Sequence, residues 1–127
     1  PQDSLVFQQL SHYDVVIAGI FPFAASWQEQ ALQALRKISS TTKVILVHFG
    51  NPEAIPAAEN FAATLAAYEG DDSMQEIVAE KIFGALSIQG HLPISTQHYS
   101  AGLIIARSSL GRLGYASPAE AGMDEVS

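Results

Sequence analysis

Residues 43–53, Lys43-Val44-Ile45-Leu46-Val47-His48-Phe49-Gly50-Asn51-Pro52-Glu53, constrain this chain more than any other stretch. A nearly solid apolar run stops abruptly at Gly-Asn-Pro. Such a run reads as a strand covered on both faces, the environment of a parallel sheet. A second junction of the same kind follows at Ala67-Tyr68-Glu69-Gly70-Asp71-Asp72, where another apolar segment gives way to a polar loop and a helix. In open α/β sheets ligands bind beyond the carboxyl ends of the strands. Function is therefore expected at these two junctions.

The rest of the chain supplies partners for that strand. Residues 3–10 predict a short helix with Leu5, Val6, Phe7 and Leu10 available for a buried side. Val15 to Ile20 is a second strand, rich in Val and Ile. Ser26 to Ser39 predicts a helix: Ser26 and Glu29 have capping-box spacing, and Trp27, Ala31, Leu35 and Ile38 share one face. Asn51 to Ala57 is a turn or a single helical turn, restricted by Pro52 and Pro56. Ala62 to Tyr68 is an Ala-rich third strand. Asp72 to Leu86 predicts a helix capped by Asp72 or Ser73, with Met74, Ile77, Val78, Ile82 and Ala85 inward. Gly102 to Arg107 reads as one more short strand. The expected fold is therefore a three-layer α/β sandwich with a mostly parallel sheet, flavodoxin-like or Rossmann-like in shape.

Composition narrows the function classes. The 127 residues suffice for one domain with a sizeable core, and 48% are apolar against 15% charged. A net charge of −7 with six Lys and Arg argues against nucleic acid or anionic lipid as a partner, since both favour a cationic surface. The chain has no cysteine, so thiolate metal sites and Cys nucleophiles are excluded. No apolar run approaches the roughly 20 residues of a membrane span. The opening Pro1-Gln2-Asp3-Ser4 has no signal-peptide character, and a start at Pro reads as processing or as a cut from something longer. After about Arg107, Ser, Gly, Pro and acids dominate, so residues 1–107 are assigned to the folded domain and 108–127 to a linker or the start of a following module.

Several residues have types suited to chemistry. Ser40-Thr41-Thr42-Lys43 spells S-x-x-K, but it leads into a strand, whereas that motif works on the first turn of a helix. His12, His48, His91 and His98 form no metal-binding pair, and no metal site is expected. His48, near a strand end, reads as a part-buried imidazole bonded to backbone. Glu69, Asp71 and Asp72 cluster between a strand and a helix. Asp72 can cap that helix, and paired carboxylates can also perform acid/base work. No G-x-G-x-x-G, P-loop or G-x-S-x-G motif occurs, so no cofactor is expected.

At these same junctions the sequence resembles the C-terminal α/β domain of glycoside hydrolase family 3. The matching pieces are Val44-Ile45-Leu46-Val47 with Phe49-Gly50-Asn51-Pro52, then Leu65-Ala66-Ala67-Tyr68-Glu69-Gly70, then Ala79-Glu80-Lys81-Ile82-Phe83-Gly84-Ala85. Gly90-His91-Leu92-Pro93-Ile94-Ser95 is similar to the family's Gly-Arg-Leu-Pro-Val-Ser signature, with His for Arg. The order holds over residues 12–105, and Phe-Gly-Asn-Pro is most similar to the β-N-acetylhexosaminidase branch. Arg112-Leu113-Gly114-Tyr115 and Ser117-Pro118-Ala119-Glu120-Ala121-Gly122-Met123-Asp124 resemble the opening of serine β-lactamase-like domains.

The resemblance implies an accessory domain of a bacterial periplasmic or extracellular glycosidase acting on a carbohydrate. Its partners would be an N-terminal TIM barrel bearing the Asp nucleophile and a C-terminal β-lactamase-like domain. In the glucosidase branch the acid/base Glu falls in the loop aligned with Gly70-Asp71-Asp72-Ser73, which makes Asp72 the catalytic candidate, as Asp where the family has Glu. Asn51, Glu69 and Asp71 are the substrate-binding candidates. In the hexosaminidase branch the acid/base is an Asp-His pair from the barrel side, which leaves Asp72 no proton to transfer. The family's first segment is missing, since a strand should precede residues 3–10. The alternative is a non-catalytic scaffold or binding domain that joins a glycosidase barrel to a β-lactamase-like domain.

Overall fold

The computed structural model describes residues 2–22, 25–53, 55, 61–96, 99–111 and 117. The elements run α1 (Gln2–Leu10), β1 (Val15–Ile20), α2 (Ala25–Ile38), β2 (Lys43–Phe49), β3 (Ala63–Ala67) and α3 (Asp72–Ile82). The three strands form one sheet in the order β1-β2-β3, and both pairings are parallel. The chain therefore has a small α/β fold, as the apolar runs predict. Val15 pairs with Lys43 and Ile20 with His48 on one side of β2, while Ile45 pairs with Ala63 and Phe49 with Ala67 on the other.

The central strand β2 anchors two cores. Strand side chains alternate between faces. Val44 and Leu46, both fully buried, point with Ile20 to one face and meet Leu32, Leu35 and Ile38 of α2, with Phe7 and Leu10 of α1 packed alongside. Val47 and Phe49 point to the opposite face and meet Ala67 and Val78, with Met74 and Ile82 of α3 alongside. At the amino end of β2, buried Thr42 donates from Oγ1 to the Ser11 carbonyl (3.3 Å), which ties the turn after α1 to the sheet.

Local detail departs from expectation at four places. Helix α2 begins at Ala25, so Ser26 lies inside its first turn and does not cap it; Glu29 accepts from Gln33 instead. Trp27, expected on the buried face, is 70% exposed, and Leu32 holds the inward position that the Trp27 stripe left out. On α1, Leu5 and Val6 are exposed, and only Phe7 and Leu10 reach the core. Helix α3 ends at Ile82, four residues early. Gly84 takes φ +80°, the Gly84 N–H donates to the Lys81 carbonyl (3.2 Å) and the Ala85 N–H to the Glu80 carbonyl (2.8 Å). That is a Schellman closure, available at little cost because glycine tolerates the left-handed region. Ile77 is more than a third exposed and Ala85 falls outside the helix.

The segment expected as a strand at 102–107 forms two isolated antiparallel bridges, Ile88 with Arg107 and His91 with Ile104. Residues 87–96 and 99–107 therefore lie against each other as a narrow arm, with the Leu92 N–H donating to the Leu103 carbonyl and the Gly102 N–H to the Leu92 carbonyl. Few side chains are buried along it, which is why no continuous ladder develops. Most of the expected linker at 108–127 lies outside the described residues, as do His98 and parts of the 51–57 turn; Pro52, Glu53 and Ile55 form a 3₁₀ turn.

Burial makes an unequal pair of predictions. Leu46→Ala should lower unfolding free energy by about 2–5 kcal/mol through lost transfer energy and a residual cavity. Trp27→Ala should stay within about 0.5 kcal/mol of the parent, as for a surface change. Urea titration followed by circular dichroism measures both. A large loss at Trp27 would show that this side chain is covered in solution.

Candidate functional site

The carboxyl ends of β1, β2 and β3 meet around two phenylalanines. Phe21, just past β1, stacks on Phe49, the last residue of β2, with ring centroids 4.5 Å apart and planes 7° from parallel. Gly70 lies against this stack: a Cβ there would come 3.1 Å from Phe21 Cδ1 and 3.6 Å from Phe49 Cβ. Gly50 has φ +103° and faces Pro22, which explains the abrupt stop after β2. Its N–H donates to the Ala67 carbonyl (2.9 Å), so the β2 and β3 ends stay in register through the turn.

Two side-chain amides fix the loops around the rings. Gln28 Nε2 donates to the Phe21 carbonyl (2.7 Å), and Gln75 Nε2 donates to the Gly70 carbonyl (3.0 Å). Each gives a loop carbonyl beyond a strand end a hydrogen-bond partner. The two phenylalanines, Gly70 and the two glutamines are the residues that sequence reasoning passed over. Their signal was present: an aromatic residue at the end of each of two adjacent strands, each followed by Pro or Gly.

The four candidate residues all fall at this edge, with different work. Asp71 is the N-cap of α3: its backbone is extended (φ −71°, ψ 167°) and its Oδ1 accepts from the Met74 N–H at 2.7 Å. Capping thus belongs to Asp71, one residue before the expected Asp72 or Ser73. Asp72 is exposed in the first helical turn, where a negative charge favours the helix dipole. Asn51 closes a local turn, accepting from the Glu53 N–H (3.0 Å) while Nδ2 donates to Glu53 Oε2 (3.3 Å). Glu69 is exposed. Among the described residues no hydrogen bond joins Asn51 to the three acids, and no cluster of His, Asp and Glu is arranged to hold a metal ion.

Among the described residues His48 is the buried titratable group. It is 3% exposed, and its Nδ1 has no hydrogen-bond partner. The imidazole is thus more deeply buried than expected and leaves Nδ1 unpartnered, while the backbone bond expected of it is made by its own main chain. Burial pushes its pKa below the ordinary value of 6.5, opposed in part by its own backbone. The S-x-x-K segment is explained by a helix end: Ser39, Ser40 and Thr41 hydroxyls donate to the Arg36, Lys37 and Ile38 carbonyls that close α2. A shallow depression of about 340 Å³ lies there, at the amino end of β2 and away from the carboxyl edge.

Two predictions follow from these placements. Asp71→Ala should cost about 0.5–2 kcal/mol, Asp71→Asn or Asp71→Ser much less, and Asp72→Ala a few tenths, all read from thermal melts. If Asp72→Ala proves the costlier change, the cap has been misplaced. The second concerns pH. His48 has its folded pKa depressed, so below pH 6.5 the unfolded chain binds more protons than the folded one. The stability held by neutral His48 is complete above that value and is lost as pH falls toward the folded pKa. Urea midpoints measured from pH 7 to 5 should fall more steeply in the parent than in His48→Gln; equal slopes would rule His48 out as the cause.

Scanned against protein-family models, curated proteins and solved structures, the chain matches none of them.

Proposed function

We propose that this chain is the C-terminal accessory α/β domain of a family 3 glycoside hydrolase, of the β-N-acetylglucosaminidase or β-glucosidase type. In this reading it packs on a TIM barrel, precedes a β-lactamase-like domain, and acts on amino-sugar glycosides of cell-wall type in the bacterial periplasm or outside the cell. The observation that supports it is the order of the motif pieces, from Val44 through Phe49-Gly50-Asn51-Pro52 and Tyr68-Glu69-Gly70 to Gly90-His91-Leu92-Pro93. The first two junctions lie side by side at the carboxyl edge of a parallel sheet, where α/β folds hold ligands.

The chemistry divides between domains. A retaining glycosidase needs a nucleophile and an acid/base, two carboxyl groups about 5–5.5 Å apart across the scissile bond. The barrel supplies the nucleophile. The loops at Gly50-Asn51 and Glu69–Asp72 form one wall of the sugar site, with Asn51, Glu69 and Asp71 as polar contacts. Asp72 supplies the acid/base only in the glucosidase arrangement. The scaffold alternative draws on a specific observation: Asn51 and Asp71 already spend side-chain oxygens on the Glu53 and Met74 N–H groups. Those bonds give them a structural use with no sugar present.

The assay is nitrophenol release from aryl β-glucosides and aryl N-acetyl-β-glucosaminides. The isolated chain should release none above buffer rate, because no barrel nucleophile is present. The full-length parent should turn over one of the two substrates. Asp72→Asn in that parent should leave turnover within about threefold if the barrel supplies the acid, against a loss of about 10²–10⁴-fold if Asp72 does. A parent with a barrel upstream and no turnover on either substrate would favour the scaffold, and a parent with no barrel would overturn both readings.

A further inference from the structure

The face of the sheet that carries α3 is only partly covered. Parallel sheets bury both faces under helices. Here α1 and α2 pack on one face, while α3 covers the other only around Val47, Phe49 and Ala67. On that same face Val15 and Ile17 of β1 are each 46% exposed. Beside them runs a groove of about 330 Å³, floored by Ile45, Ala63 and Leu65 and walled by Ile82, Leu86 and Leu110. Apolar side chains left exposed beside a groove on a sheet face, where parallel sheets are otherwise covered, point to a place where another element can sit.

Charge identifies the occupant. The charged groups lining the groove, among the described residues, are Lys81 and Arg107. Lys43 lies on the same face, two residues before Ile45 and therefore on its side of the strand. Three of the chain's six Lys and Arg thus gather around one apolar floor, in a protein of net charge −7. Both lining cations are positioned. Lys81 Nζ donates to the Ser87 carbonyl, which holds it at the rim with further N–H groups to offer. The Arg107 backbone is fixed by its paired bonds with Ile88 (2.8 and 3.0 Å), which sets where its exposed guanidinium begins.

We propose that this groove and the adjoining face of β1 are a docking site for an acidic amphipathic helix of a partner protein. A helix with apolar residues at i, i+3, i+4 and i+7 presents one ridge to a flat apolar floor, and carboxylates flanking that ridge meet Lys43, Lys81 and Arg107. Lying beside α3, it covers Val15 and Ile17, exposed among the described residues, and half-buried Ile45. The cations select the partner by sign, since a basic helix would bring like charges to the rim. The site faces away from the helix α2 layer and does not depend on the glycosidase reading.

The test is fluorescence anisotropy with the 127-residue chain and a labelled helical peptide of about five turns. One peptide has Leu on its apolar ridge and Glu on its flanks; a second has Lys in place of Glu. The Glu peptide should bind at least about tenfold more tightly than the Lys peptide. Lys81→Glu with Arg107→Glu should reverse that preference, and Ile17→Asp should weaken both peptides. Circular dichroism checks that each variant keeps the parent fold; if the double variant does not, Arg107→Gln alone should still narrow the preference by several-fold. Equal binding of the two peptides, a preference for Lys, no binding of the Glu peptide at millimolar concentration, or tighter binding of decanoate at the same residues would each overturn the proposal.

Discussion

The double-sided burial of β2 is the constraint on which the rest depends. Seven residues place Val44 and Leu46 on one face and Val47 and Phe49 on the other, each almost fully removed from water. A strand in that position must be central, so it needs a neighbour on each edge and helices above and below. Strand β1 and the α1–α2 pair answer one side, and β3 with α3 answers the other. Removing a methylene from this strand is felt in the cluster on that side chain's face, because close packing leaves neighbours little room to relax.

The carboxyl edge inherits its geometry from the same strand. Phe49 ends β2 as a core residue and at once begins the aromatic stack that sets the loops above it. The Gln28 and Gln75 amides then pin carbonyls to either side. An edge built this way presents exposed carboxylates at Glu69 and Asp72 on a rigid base, an arrangement suited to a wall against which another domain or a polar ligand is positioned.

Much of this was legible in the sequence, for identifiable reasons. The strands were readable because continuous Val and Ile runs have few other homes, and the parallel pairing of β1 with β2 followed from the helix between them. Helix faces were less legible. Trp27 fits the apolar stripe by spacing, yet it sits exposed in the first turn of α2, and Leu32 does the packing. The Asp71–Asp72 ambiguity was inherent: adjacent acids offer the same cap, and the backbone angle that selects between them is not written in residue type. His48 was misread because a strand end predicts access to solvent, whereas the neighbouring elements close over it. The stop at Gly84 was visible and was overridden by apolar residues continuing beyond it. As for the site, its location at the strand ends was readable, but the supporting glutamines were not, since an amide reveals its partner only once the backbone is folded.

Strand β1 is the outer strand of the described sheet and reads Val-Val-Ile-Ala-Gly-Ile, without a charge or a proline. Its outer row of N–H and C=O groups is therefore unguarded by the devices that edge strands commonly use. Two such edges approaching in solution would continue the sheet from one molecule into the next, and Val15 and Ile17 would favour the meeting by leaving water. The isolated domain should thus have a ceiling on the concentration at which it stays monomeric. A single lysine facing outward on β1 raises that ceiling without touching either core.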